Sequence, residues 1–228
     1  MEGRTIKFDS TNSRPNAFAK TQAAIDSSWN VEFFRGKLVP IHYLSQISEG
    51  LREKLEDLDD GKPIAIDFEW QPDTRFEKHP ISLIQLCSSK SCLVIRLQPR
   101  EDSEILRQFL STHQFFGKGC GNDRIKIKLT FGDDFQLNLE DVERTQLMNY
   151  QLTANFNNMI TSFAGTPTAE FKSKRISRSN WAKQINVTQL LYAAFDVVGL
   201  YECYENFPGV REKRNLPPFE EGRQYFHI

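Results

Sequence analysis

Cysteine is scarce in this sequence. Its four thiols, Cys87, Cys92, Cys120 and Cys203, include no C-x-x-C pair. Zinc knuckles and ribbons need such pairs, and disulfide scaffolds need a denser set, so free thiols in a reducing compartment are the plain reading. Long apolar runs are also missing; nothing approaches the roughly 20 residues that cross a bilayer. The opening MEGRTIKFDSTNSRPNAFAK holds no apolar core of a secretory signal, and its Glu2 and Asp9 argue against a mitochondrial presequence. The expectation is an intracellular protein of nucleus or cytoplasm, neither secreted nor membrane-bound. There is no excess of charge of one sign: 29 Lys and Arg stand against 30 Asp and Glu, a net charge of −1. Nucleic-acid binders often carry a basic excess, so such a role here requires the charge to be segregated. No internal repeat or low-complexity tract is present.

What is there fits one domain with a sizeable core: 228 residues, 39% hydrophobic and 26% charged. Residues 1–30 are polar and mixed in charge and read as a loosely packed arm; 31–208 carry the patterned elements, and 209–228 read as a peripheral tail. A short strand region is expected over 31–44. Ile47, Leu51, Leu55 and Leu58 recur at helical spacing over 45–58. Strands are expected at 63–70, 81–87 and 92–97, the last two forming a hairpin around Ser88–Ser91 that brings Cys87 near Cys92. A helix over 102–111, a short strand at 114–117, a helix from about Asn122, an extended stretch at 137–142 and a mostly helical 145–164 follow. The clearest helix spans 187–205. Strands first, then alternating helices and strands, predict an α/β domain built on a mixed sheet flanked by helices.

Chemistry enters with Pro63–Trp70, PIAIDFEW. Strand side chains alternate faces, so Asp67 and Glu69 share one face and Ile64, Ile66 and Phe68 the other. Adjacent carboxylates repel unless a cation lies between them, and hard oxygen donors suit Mg²⁺ or Mn²⁺. Taken alone, a D-x-E is more often a solvated strand end. Gly117-Lys-Gly-Cys-Gly-Asn-Asp123 allows a tight strand-to-helix passage that puts Asp123 in the first helical turn. Taken alone, that aspartate is a cap or dipole partner. The dinucleotide fingerprint G-x-G-x-x-G fails, because the third glycine is displaced to Gly121. Tyr192 and Asp196, four apart, share a face of an otherwise apolar helix, where an aspartate needs a partner.

In this order the three elements resemble the 3′–5′ exonuclease family that includes ribonuclease D and the exonuclease domain of the Werner syndrome protein. Its D-x-E, D and Y-x-x-x-D positions match Asp67 and Glu69, Asp123, and Tyr192 with Asp196. Ser82–Cys87, Lys172-Ser-Lys174 and Ser179-Asn-Trp181 resemble the Werner-like branch. Leu191 stands where the sister subclass has histidine, so the resemblance is to the tyrosine subclass.

The resemblance implies a ribonuclease H-like fold and a metal-dependent exonuclease acting on the 3′ end of DNA or RNA and releasing nucleoside 5′-monophosphates. It implies two divalent ions, Mg²⁺ or Mn²⁺, held by Asp67, Glu69, Asp123 and Asp196, with Tyr192 orienting the attacking water. Helicase motifs are absent, so a helicase or RNA-processing partner would be a separate chain. Lys172, Lys174, Arg175 and Arg178 form the densest basic run. Strand-phosphate contact and a solvated loop both remain open for them. The backbone at Phe68 and Trp70 is placed to meet the terminal nucleotide. Trp181 reads as core rather than a base-stacking platform, and His79 as exposed. A catalytically silent binding module on the same fold is the alternative; it would be marked by loss of a carboxylate, and none is lost.

Overall fold

The computed structural model describes residues 4–8, 15–18, 20–23, 27–46, 50–98, 103–147 and 155–213. Eight strands form one mixed sheet in the order β1-β2-β3-β6-β5-β4-β7-β8. They are β1 (Arg4–Ile6), β2 (Ser27–Phe34), β3 (Lys37–Leu44), β4 (Ile64–Trp70), β5 (Ile81–Cys87), β6 (Cys92–Arg96), β7 (Gln114–Gly117) and β8 (Asn138–Asp141). β2 with β3, β5 with β6 and β4 with β5 pair antiparallel; β1 with β2, β3 with β6, β4 with β7 and β7 with β8 pair parallel. The helices are α1 (Gly50–Leu58), α2 (Glu104–Thr112), α3 (Gly121–Phe131), α4 (Phe156–Phe163), the single turn α5 (Lys174–Ser177) and α6 (Val187–Lys213).

Two cores explain the layering. On one face, Leu51, Leu55 and Leu58 of α1 and Leu106, Phe109 and Leu110 of α2 bury against Ile64, Ile66 and Phe68 of β4, with Ile127 and Phe131 of α3. Each such side chain contributes roughly 1.5–3 kcal/mol when fully buried. On the other face, α4 and α6 pack on the sheet through Met159, Ile160, Leu190, Ala194 and Val197, joined by Ala65 of β4. α6 is apolar almost all round and therefore central. It opens with a reciprocal cap: the Gln189 N–H donates to Asn186 Oδ1 and the Asn186 N–H to Gln189 Oε1.

The region expected to be one short strand is a hairpin of two eight-residue strands, and it starts earlier, at Ser27. Part of the stretch read as a loose arm is thus built into the sheet: Arg4–Ile6 pairs with β2, and Ile6, Ala23 and Trp29 are buried. Its polar composition hid this, because an edge strand needs only one buried face. The helix expected over 145–164 is described at a π-helical turn, Glu143–Leu147, and at α4; residues 148–154 lie outside the described residues. α6 runs past Pro208 to Lys213, further than the apolar pattern indicated, and most of the tail, 214–228, lies outside the described residues. Among the described residues no helix is long and apolar enough to cross a membrane.

Candidate active site

Asp67 and Glu69 leave β4 on the face covered by α6, as the alternation requires, opposite the buried Ile66 and Phe68. β7 runs parallel to β4, so its end at Gly117 lies beside them. A side chain at Gly117 would place its Cβ 3.3 Å from the Ile66 carbonyl oxygen and 2.7 Å from Cys120 Sγ, which only glycine avoids. Gly119 then turns with φ +70°, and Asp141 at the end of β8 fixes the turn by accepting the N–H groups of Gly119 (2.9 Å) and Cys120 (3.0 Å). α3 therefore starts at a set place, with Asp123 in its first turn. From the other side, α6 supplies Tyr192 and Asp196, 7% and 5% exposed, one helical turn apart.

These groups share one electrostatic neighbourhood. Burial, opposed by the Lys172 charge, raises the Asp67 carboxyl above its ordinary range. Burial and the Asp67 and Asp123 charges push Glu69 up to about 9. Burial and the Asp67 and Asp141 charges push Asp123 up to about 8. Burial and the two β4 carboxylates raise the Tyr192 phenol well above its usual value, so it stays protonated at neutral pH. Lys172 stands in the middle. Its ammonium pairs with Asp196 Oδ1, donates to the Tyr192 hydroxyl at 3.3 Å, and lies 4.4 Å from the ring centroids of both Phe156 and Tyr192. Burial lowers it to about 8 against the pull of Asp67 and Glu69.

Carboxylate oxygens are hard donors that suit divalent ions, although among the described residues no group of three or more His, Cys, Asp or Glu side chains is so placed that it could hold a metal ion. Asp196 Oδ1 is buried and accepts no hydrogen bond of regular geometry; it has only the ion pair. Burial first, and then their mutual repulsion, hold the crowded carboxyls towards their neutral forms, and the Lys172 ammonium opposes this at Asp67 and Glu69. Asp67, Glu69, Asp123 and Asp196 are the residues that would hold a metal here.

The basic run divides. Lys172 is drawn into the acids instead of standing in solvent, while Lys174, Arg175 and Arg178 are exposed and make no salt bridge among the described residues. A cleft of about 550 Å³ opens beside Tyr192, with Lys172, Lys174, Ser177, Asn155 and Phe156 among its walls. The side chains of Phe68 and Trp70 pack on the opposite face of the sheet, which leaves their backbone for any contact at the site. Trp181 is fully buried, 5.9 Å from the Tyr192 ring, as a core residue should be. His79, expected to be exposed, is only 9% so: its backbone N–H donates to Asp73 and its carbonyl accepts from Lys126, tying the 71–80 loop to α3. Sequence reasoning missed Asp141, whose side-chain role has no periodic signal, and Gln85, the direct cross-strand neighbour of Asp67. An amide flanked by Leu83, Ile84 and Leu86 in ISLIQLC was the available clue to Gln85.

Solved structures share this fold. Escherichia coli RNase D superposes with a TM-score of 0.62 at 20% identity, over 76% of this chain and 45% of that one. The Aedes aegypti Nibbler EXO domain gives 0.58 at 18%, covering 83% and 95%, and Trypanosoma brucei RNase D in complex with RNA U12 gives 0.57 at 19%, covering 74% and 62%. The chain thus spans about half the length of the E. coli protein. No curated protein matches it in sequence. A mixed sheet of this order, with acids on β4 and in the first turn of α3 and a tyrosine and aspartate on the covering helix, is a ribonuclease H-like fold. Residues 44–209 match the 3′–5′ exonuclease family, and the chain belongs to it. Divalent metal dependence is general in that family.

Proposed function

We propose that this domain hydrolyses the terminal phosphodiester at the 3′ end of a nucleic-acid strand, RNA in the first instance, releasing nucleoside 5′-monophosphates one at a time with two Mg²⁺ or Mn²⁺ ions. The observation that carries the reading is the crowding of Asp67, Glu69 and Asp123, each with its carboxyl displaced upward, against Asp196 and Tyr192 of α6. Asp67, Glu69 and Asp196 are assigned to one ion, and Asp67 with Asp123 to the other. When bound, the ions supply the Lewis-acid charge that activates water and stabilises the leaving 3′ oxygen.

The chain's own residues do the rest. The Tyr192 hydroxyl, protonated and beside Glu69, orients the attacking water through a hydrogen bond. The water oxygen bonds to phosphorus, the P–O3′ bond breaks, and the 3′ oxygen takes up a proton, leaving a new 3′-hydroxyl end. Lys174, Arg175 and Arg178, exposed near the cleft, meet the strand's phosphates without reading sequence. The backbone at Phe68 and Trp70 meets the terminal nucleotide. RNA is favoured because Trypanosoma brucei RNase D is solved with RNA U12 and Brucella melitensis NrnC with pGG.

The test is digestion of matched RNA and DNA oligonucleotides, single- and double-stranded, labelled at the 5′ end, with Mg²⁺, Mn²⁺ or a chelator. A ladder shortening one nucleotide at a time, abolished by the chelator and fastest on RNA, is expected. Internal cleavage, or no cleavage with either metal, overturns the proposal.

A further inference from the structure

Building on that reading of the four acids, we propose that Lys172 is a built-in counter-ion of the site: its ammonium holds the Asp67–Glu69–Asp196 half in the metal-free protein and is displaced when a divalent ion enters there. The ammonium is the ion-pair partner of Asp196 and acts electrostatically on Asp67 and Glu69. The charges acting on Asp123 are different ones: Asp67, Asp141 and Arg124. The two halves of the acidic site are therefore unequal. One already holds a monovalent cation tethered by four methylenes; the other feels the Arg124 charge but has no ion-paired cation among the described residues.

The seat is shaped for a cation. The Phe156 and Tyr192 rings each lie 4.4 Å from Nζ, and the Tyr192 hydroxyl accepts from it at 3.3 Å. These contacts hold the ammonium where water is scarce, with a side chain 22% exposed. The way out is also present. Lys172 lines the cleft beside Tyr192, between Glu170 and Ser173, so rotation of its stem carries Nζ from the acids into that space without moving the backbone. A strand phosphate in the cleft would give the released ammonium a new partner, so loading of the second ion and binding of the strand favour each other. The ion beside Asp123 enters first, with no ion-paired cation to expel there; the ion beside Asp196 enters second and more weakly, because it must expel Lys172.

Mn²⁺ binding to the wild type and to Lys172→Met, followed by the free-Mn²⁺ paramagnetic resonance signal, tests this without substrate. Methionine keeps the length and apolar packing and removes the charge. The wild type should bind two ions with unequal affinity, and Lys172→Met should bind the weaker one about tenfold more tightly, as expected for loss of one nearby positive charge. A second measurement needs no variant: brief acylation of lysine amines, read by mass spectrometry, should label Lys172 several-fold faster with Mn²⁺ than with a chelator. Two ions bound alike in both proteins, or Lys172 labelling unchanged while Mn²⁺ is bound, overturns the counter-ion role and leaves the nuclease reading intact. No Mn²⁺ bound by either protein overturns both.

Discussion

Asp67 and Gln85 face each other directly across β4 and β5, and the Gln85 side chain, fully buried, has a hydrogen-bond partner for neither its amide nitrogen nor its oxygen among the described residues. An unpaired buried amide costs about 1–3 kcal/mol. A polar side chain at that cost beside an acid proposed to hold metal points to a role in steadying Asp67. Gln85→Leu is expected to leave the thermal midpoint unchanged or higher while lowering kcat at saturating metal by tenfold or more. Full activity in a stabilised Gln85→Leu protein would remove Gln85 from the site.

Tyr192 gives a cleaner separation of chemistry from binding. Its phenol is held protonated by burial and by the β4 carboxylates, so its part is to donate a hydrogen bond. Tyr192→Phe should fold normally and bind Mn²⁺ as the wild type does, yet lose roughly 10²-fold in kcat, the lower end of what a positioned proton-handling group supplies. Unchanged kcat, measured at several pH values, would show that the hydroxyl takes no part.

Asp141 acts on Asp123 through the backbone as well as through its charge. Its carboxylate accepts the Gly119 and Cys120 N–H groups and sets where α3, and so Asp123, begins. Asp141→Ala should cost about 1–2 kcal/mol of stability by urea unfolding, the scale of a lost cap-like pair of hydrogen bonds. It should also weaken Mn²⁺ binding. Weakened stability with unaltered metal affinity would confine Asp141 to folding the turn.

Two groups of acids pull the pH dependence of stability in opposite directions. Asp73, bonded by Lys126 at 2.5 Å, by the His79 N–H and by Lys78, is held well below the ordinary carboxylate range. Its contribution is full above that range and is lost as pH falls through its folded value. Glu69, at about 9 in the folded chain, is the reverse: the unfolded chain releases its proton first, so metal-free stability falls as pH rises from the ordinary glutamate value towards 9. Glu69→Gln should therefore raise the stability of the metal-free protein at pH 7 by about 2–3 kcal/mol and leave it little changed near pH 4. Asp73→Asn should flatten the acid limb instead. Thermal melts across pH in chelator check both, and a Glu69→Gln protein less stable at pH 7 would contradict the assignment.

The acids were legible as an ordered set that resembles a family's signature, while local pattern supplied only which of them share a face. Strand alternation in PIAIDFEW puts Asp67 and Glu69 on one face, and helical spacing in an apolar stretch does so for Tyr192 and Asp196. Asp123 was placed by the glycines before it, whose backbone demands the structure bears out at Gly117 and Gly119. What stayed hidden depends on long-range contact. Lys172 looks like its neighbours in a basic run, and only the docking of α6 and α4 shows that it alone turns inward. Arg4–Ile6 is too short and polar to announce a strand, and it becomes one because β2 offers an edge. His79 is buried by the Lys126–Asp73 tie, which joins positions 53 residues apart.

The account stands most directly on where the metal sits. Crystals grown without divalent ions and soaked in Mn²⁺ should show anomalous scattering between the oxygens of Asp67, Glu69 and Asp196, with Lys172 Nζ moved aside, and a second peak between Asp67 and Asp123. Anomalous peaks only at other acids, in a preparation that still shortens RNA from its 3′ end, would contradict it.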